Sequence, residues 1–223
     1  EELTMLRLAV QHVNRLKPRF LLVSGDLINV WPSKETATVV AAQTASFKEA
    51  LRDLDPTIPL VLQPGNHDVG QNPQRQDVAR YKENFGDDYF SFWVGGVLYL
   101  ALNSQYYHKL CSSSDAESMR REQEAWLEVE LSSENCRKAK HIVILSHVPP
   151  FMGHEEESHG HFNWSLEGRR WLLRLAAEAG VKLILCGHYH GNCVVRSKAS
   201  VEVVTTSSCG GVINWKLNPG QLA

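Results

Sequence analysis

Residues able to bind metal or carry protons cluster directly after apolar runs. Gly25-Asp26 follows Phe20-Leu21-Leu22-Val23, and Asn66-His67-Asp68 follows Pro59-Leu60-Val61-Leu62. His147 follows Ile142-Val143-Ile144-Leu145, and His188-Tyr189-His190 follows Val181 to Leu185. Imidazole nitrogens together with a carboxylate and an amide oxygen suit Zn, Mn or Fe ions. A carboxylate such as Asp26 can bridge two ions about 3.5–4 Å apart, the arrangement that hydrolyses phosphate esters. Asn66 fits beside them, because a neutral amide ligates a metal through its oxygen and also donates hydrogen bonds to a phosphate. Taken singly, Asp26 after Ser-Gly and Asn66 after Pro-Gly are ordinary turn formers, and His147 before Pro149-Pro150 is unremarkable. Only the four clusters in sequence give the chemistry weight.

The elements that must position them alternate. Leu3, Leu6, Val10 and Val13 recur at helical spacing, so the chain opens with an amphipathic helix ending before Pro18. A strand over 20–23 reads as buried on both faces, a helix covers 36–54, and a second strand covers 59–62. Residues 78–85 are helical. Two alternating runs around Gly95-Gly96 predict a hairpin. A helix over 122–131, a strand over 141–145, a helix over 166–179 capped by Gly180 and a strand over 181–185 follow. Short strands near 194, 201–205 and 212 finish the pattern. Such alternation predicts a mainly parallel α/β sheet with a hairpin-rich part beside it. In open α/β sheets the functional crevice lies at the carboxyl ends of the strands, where all four clusters fall.

The 223 residues carry 23 Lys plus Arg against 25 Asp plus Glu, a net charge of −2. That balance argues against partners held by a basic face, nucleic acid and anionic membrane among them. Absence of a run of about 20 apolar residues argues against a membrane span. Five cysteines are too few and scattered for a disulfide framework, which favours a reducing compartment and a cytoplasmic location.

The order G-D, G-N-H-D, single H and G-H-x-H resembles the calcineurin-like metallophosphoesterase family. The stretch Gly86-Asp87-Asp88-Tyr89-Phe90-Ser91-Phe92-Trp93-Val94-Gly95-Gly96-Val97-Leu98 and the run Leu102-Asn103-Ser104-Gln105 extend the likeness toward that family's protein phosphatases. The resemblance implies an α/β/β/α sandwich of two facing mixed sheets flanked by helices, in a single domain spanning residues 1–223. It also implies two divalent cations. Asp26 would bridge them, with Asn66, His147 and His188 completing one position and His190 belonging to the other. His67 would act as general acid or phosphoryl donor beside Asn66, with Asp68 orienting its ring. Water activated by the ions would attack phosphorus in line.

By the same resemblance the activity is phosphomonoester hydrolysis, on a phosphorylated serine/threonine protein or a small phosphomonoester. A phosphodiesterase or nucleotidase would share every ligand. Family members carry an earlier D-x-H motif on a first strand, and no Asp-x-His occurs here. The chain opens in the helix that should follow, so the expectation is an N-terminally truncated segment whose second metal position keeps only Asp26 and His190. An impaired fragment acting as a binding protein is the corresponding alternative. Residues 212–223 carry no resemblance.

Elsewhere the bland reading leads. His12 and His141 read as structural, and His108 beside Cys111 lacks a second pair for a zinc site. The acidic loop over 151–164, with His154, His159 and His161, reads as solvated, or else as a lid following His147. Tyr106, Tyr107 and Trp164 suit core packing better than the cleft. Cys209-Gly210-Gly211 is a loop free to approach the site.

Overall fold

In the computed structural model, the structure describes residues 2–108 and 110–211. Helix α1 (Glu2–Leu16) leads into strand β1 (Leu21–Ser24), then α2 (Ala37–Ala50) and β2 (Leu60–Gln63). A single turn, α3 (Asn66–Val69), and α4 (Arg75–Phe85) precede the hairpin of β3 (Phe90–Val94) and β4 (Val97–Leu102). After a 3₁₀ turn at Ser104–Tyr107 come α5 (Ser114–Ser132), α6 (Glu134–Lys138) and β5 (His141–Ser146). Helix α7 (Leu166–Glu178) and strands β6 (Leu183–Cys186), β7 (Cys193–Arg196) and β8 (Glu202–Thr205) complete the described elements.

The strands form two sheets. Strands β1 and β2 pair in parallel, and the second sheet runs β3-β4-β5-β6-β8-β7. Its centre is parallel, while the β3–β4 and β7–β8 pairs at its edges are antiparallel. Leu22, Phe92, Tyr99, Val143 and Leu145 pack between the sheets, where Phe20 meets the rings of Phe92 and Tyr99 edge-on. Helices α5 and α7 bury Leu127, Leu131, Leu172 and Ala176 against the outer face of the large sheet. On the other side Val10, Phe47 and Tyr81 bring α1, α2 and α4 onto β1 and β2. The result is the expected α/β/β/α sandwich.

Differences from the sequence reading have local causes. Helix α5 begins at Ser114 and not near 122, because Ser113 Oγ accepts the Ala116 amide at 3.1 Å and acidic residues fill the first turn. Strand β1 is half-buried along its length and not buried on both faces, since one edge pairs β2 while the other borders a cavity. The hairpin is as expected, with Gly95 and Gly96 both at positive φ. The short strand expected near 212 lies outside the described residues.

Candidate metal centre

Register assembles the site. Pairing of Ser24 with Gln63 sets Gly25-Asp26 beside Gly65-Asn66, and pairing of Ser146 with Cys186 sets His147 beside Gly187. The Gly187 amide then donates to the His147 carbonyl at 3.0 Å. Glycine is needed where these loops touch. A Cβ on Gly25, at φ 81°, would lie 2.4 Å from His147 Nδ1, and one on Gly65 would lie 2.3 Å from the Asp26 amide. Asp26, His188 and His190 all hold positive φ, strain of the kind that persists where surrounding structure imposes it.

Four donor atoms converge. Nε2 of buried His147 lies 3.3 Å from Asp26 Oδ2, 3.1 Å from Asn66 Oδ1 and 3.2 Å from His188 Nδ1. Asp26, His147 and His188 form the one cluster of three potential ligands found among the described residues. Their outward atoms are committed elsewhere. His147 Nδ1 donates to the Ser24 carbonyl at 2.5 Å, and His188 Nε2 donates to the His161 carbonyl at 3.0 Å. A carbonyl only accepts, so these two nitrogens carry the protons, and lone pairs are left on the two that face each other. Two lone pairs at that spacing repel unless a proton or a cation lies between them. The donor set therefore fits a divalent cation, with one carboxylate, two imidazoles and one amide oxygen.

Electrostatics agree with that demand. Burial opposes charge on His147, yet the Asp26 carboxylate overrides it and holds this imidazole above its ordinary value. Burial would likewise raise Asp26, but the imidazoles of His147 and His67 hold it well below the usual carboxylate range. His188 is driven well below its ordinary value by burial and then by His147.

His190 stands apart from this cluster. Its Nδ1 donates to the Gly211 carbonyl at 3.1 Å, so the 209–211 loop does approach the site. It shares with Asp26 and His67 a cavity of about 520 Å³, walled by Leu6, Val10 and Leu22.

His67 sits at the rim. Its amide donates to Asp26 Oδ1 at 3.0 Å, its Nδ1 donates to the Asn29 carbonyl, and its ring leans on Trp31 with centroids 4.7 Å apart. Here the expectation for Asp68 needs correcting. Asp68 does not orient the His67 ring; its carboxylate accepts the amides of Gly65 at 2.7 Å, Leu27 at 2.9 Å and Ile28 at 3.3 Å. The cause is geometric. Asp68 lies on the inner side of the α3 turn, so it ties the two ligand-bearing loops together from beneath. Burial and then the charge of Asp26 push it up to about 7.

The acidic loop is partly solvated as expected, with His154, Glu156 and His161 exposed, but it is framed from beneath. Arg169 of α7 is fully buried and donates to the carbonyls of Pro150 (2.7 Å), Glu155 (3.0 Å), Glu157 (2.8 Å) and Trp164 (3.0 Å). Glu157 in turn accepts the amides of Met152, Gly153 and His154. This frame sets the His161 carbonyl on His188 and the His161 ring 4.9 Å from it. Tyr107 and Trp164 stack in the core, and Tyr106 is buried with its hydroxyl on Asp88, as the bland reading expected. Cys186 is buried, with its thiol pushed up.

Sequence reasoning missed the backbone carbonyls of Ser24, Asn29 and His161, which have no side-chain signature, and the clamp Arg169. An arginine at helical spacing with Leu172, Leu173 and Ala176 was the available signal for Arg169.

A family model described as calcineurin-like phosphoesterase matches residues 2–192. Human serine/threonine-protein phosphatase CPPED1 is 39% identical over 213 residues, covering 94% of this chain. The zebrafish protein of the same name is 39% identical over 194 residues, 86% of this chain and 61% of that protein. The chain spans 66% of the human relative's length. A dimetal phosphatase from Danio rerio shares the fold at TM-score 0.69 and 14% identity, covering 93% of this chain and 78% of that one. A purple acid phosphatase from yellow lupin does so at TM-score 0.65 and 14% identity, over 94% of this chain and 40% of that one. With a family model spanning most of its length and close curated relatives, the chain belongs to the calcineurin-like phosphoesterase family.

Proposed function

We propose that this chain hydrolyses phosphate monoesters in a metal-dependent reaction, with phosphoserine and phosphothreonine proteins as its substrate class and the cytoplasm as its location. The observation that carries the reading is the convergence of Asp26, Asn66, His147 and His188 on one point. Identity of 39% to human CPPED1 supports the phosphomonoesterase choice within the family. Odd-numbered, scattered cysteines support the compartment.

Asp26, Asn66, His147 and His188 would hold a divalent cation, and Asp26 with His190 would supply ligands to a second; Mn, Fe and Zn all suit these donors. When bound, such ions neutralise phosphoryl charge and make water acidic enough to supply the nucleophile near neutral pH. The protein's own part is orientation. Ser24 and His161 carbonyls hold the two imidazoles with lone pairs inward. Asn66 offers its amide N–H to a phosphoryl oxygen. His67, pinned through Nδ1 by the Asn29 carbonyl, presents Nε2 to the leaving oxygen, where it would deliver a proton.

His190 favours a second reading. Its Nδ1 donates to the Gly211 carbonyl and leaves a lone pair on Nε2, but it stands outside the convergent cluster with only Asp26 to share an ion, which suits a chain that binds one ion and phosphate without turnover. Turnover of p-nitrophenyl phosphate, bis(p-nitrophenyl) phosphate and a phosphoserine peptide in added Mn, alongside metal stoichiometry by mass spectrometry, separates the readings. Monoester and peptide turnover with metal supports the phosphatase. Preference for the diester points to a phosphodiesterase, and bound metal without turnover points to the binding protein.

A further inference from the structure

His67 hangs from a single peptide unit. Its Nδ1 donates to the Asn29 carbonyl, and the N–H of that same unit, on Val30, donates to Gln43 Oε1 at 2.9 Å. The C=O and N–H of a trans peptide point in opposite directions. Gln43, on α2, therefore grips one side of the unit while the imidazole holds the other. A second grip limits rotation, because Gln43 Oε1 also accepts the Asn29 amide at 2.9 Å.

The hold runs along the whole loop. The amides of Leu27 and Ile28 go to Asp68 Oδ1 at 2.9 and 3.3 Å, so four successive amides close pairwise on two side-chain oxygens. Asp68 secures the half beside Asp26, and Gln43 secures the half that carries the Asn29 carbonyl. Further on, Thr36 Oγ1 donates to the Trp31 carbonyl at 2.7 Å, and the Trp31 ring leans on the imidazole with centroids 4.7 Å apart.

The consequence is chemical as well as geometric. A carbonyl only accepts, so Nδ1 keeps its proton and the proton gained or given is the one on Nε2. Loosening the Asn29 carbonyl would return to the ring both its rotation and its choice of tautomer.

We propose that Gln43 is a positioning residue: through the Asn29–Val30 peptide it sets the orientation and the tautomer in which His67 gives its proton. The inference rests on the phosphomonoesterase reading and deepens it, since a contact from α2, outside the four ligand clusters, decides how well the acid works.

Gln43→Met keeps the length of the side chain and removes the acceptor, while Gln43→Glu keeps an acceptor oxygen. In added Mn, Gln43→Met should lower kcat on a phosphoserine peptide about tenfold, with KM and metal content within about twofold of the wild type. Gln43→Glu should recover most of that loss. In a His67→Ala background the same Met substitution should cost less than about twofold, because no ring is left to aim. An equal loss in both backgrounds, or an unchanged kcat in Gln43→Met, overturns the proposal.

Nitrogen NMR of the Zn-loaded chain, with isotope-labelled histidine assigned through His67→Ala, reads the ring without turnover. Neutral His67 should carry its proton on Nδ1 in the wild type and shift toward the Nε2–H form in Gln43→Met. A neutral wild-type ring protonated on Nε2, or a tautomer that Gln43→Met leaves unshifted, overturns it as well. Urea unfolding checks that the variants fold; should Gln43→Met not fold, the wild-type spectrum and Gln43→Glu carry the test. If the wild type turns over no phosphomonoester, that reading fails, while the nitrogen spectrum still decides what Gln43 holds.

Discussion

Nδ1 of His188 faces Nε2 of His147 across 3.2 Å, although the two residues are 41 positions apart. With their other nitrogens tied to carbonyls, the pair is arranged to share a cation, and without one it must trap a proton. Binding of Mn or Zn should therefore stabilise the fold and release protons. At a free metal concentration of about 100 times Kd the gain is roughly 2.7 kcal/mol, or about 5–10 °C in melting temperature. Differential scanning fluorimetry with Mn and then EDTA checks this, and an unmoved transition would count against the site.

Asp26→Asn keeps the shape of the side chain but removes its negative charge. Metal affinity should fall by at least about tenfold, in line with losses seen when a metal site is perturbed. Mass spectrometry of the desalted variant should find less metal than in the wild type; unchanged stoichiometry would refute the ligand role.

His67→Ala removes the imidazole proposed as general acid and none of the convergent donors. Turnover of p-nitrophenyl phosphate should drop about 100-fold or more, as for a lost general acid. Metal content should stay intact. A variant with near-normal turnover would leave His67 without its assigned part.

Arg169→Met keeps the buried stem but strands four carbonyls of the 150–164 loop. The loss should be about 3 kcal/mol or more in urea unfolding, because each bond involves a charged donor. Hydrogen exchange should quicken first at 151–164, and metal affinity should weaken because the carbonyl of His161 no longer holds His188. A loop that stays protected in the variant would sink the clamp.

His108, one ring removed from His188 through His161, gives a pH signature. Burial, and then the charges of His161 and His159, push it down to about 4 from 6.5. Below 6.5 the unfolded chain takes a proton that the folded one refuses, so stability rises with pH across this window and is lost as pH falls from 6.5 toward 4. His108→Asn retains an acceptor for the Leu110 amide and does not titrate. Its urea midpoint should fall less steeply than the wild type's between pH 6.5 and 4; parallel curves would disprove the assignment.

By itself, the sequence determined which residue types stand at the strand ends and which sheet architecture carries them there. Apolar runs such as Ile142 to Leu145 declare buried strands, and glycine, asparagine and histidine after them declare turns with chemistry, because both signals are local. The convergent residues Asp26, Asn66, His147 and His188 were legible for that reason.

Only the tertiary structure decided the rest. Register between β1 and β2 put Asp68 under the loops and not against His67, a relation no spacing within 66–68 reveals. The carbonyls of Ser24, Asn29 and His161 orient three imidazoles, yet every residue has a carbonyl, so only packing selects which ones act. Arg169 holds a partly solvated acidic stretch in a fixed frame beside the site through four of its carbonyls. His190 and His188 look equivalent as His-x-His, but one faces the convergent donors and the other the Gly211 carbonyl. Side chains carry their chemistry in the sequence; direction comes from distant backbone, which the chain supplies only once it has folded.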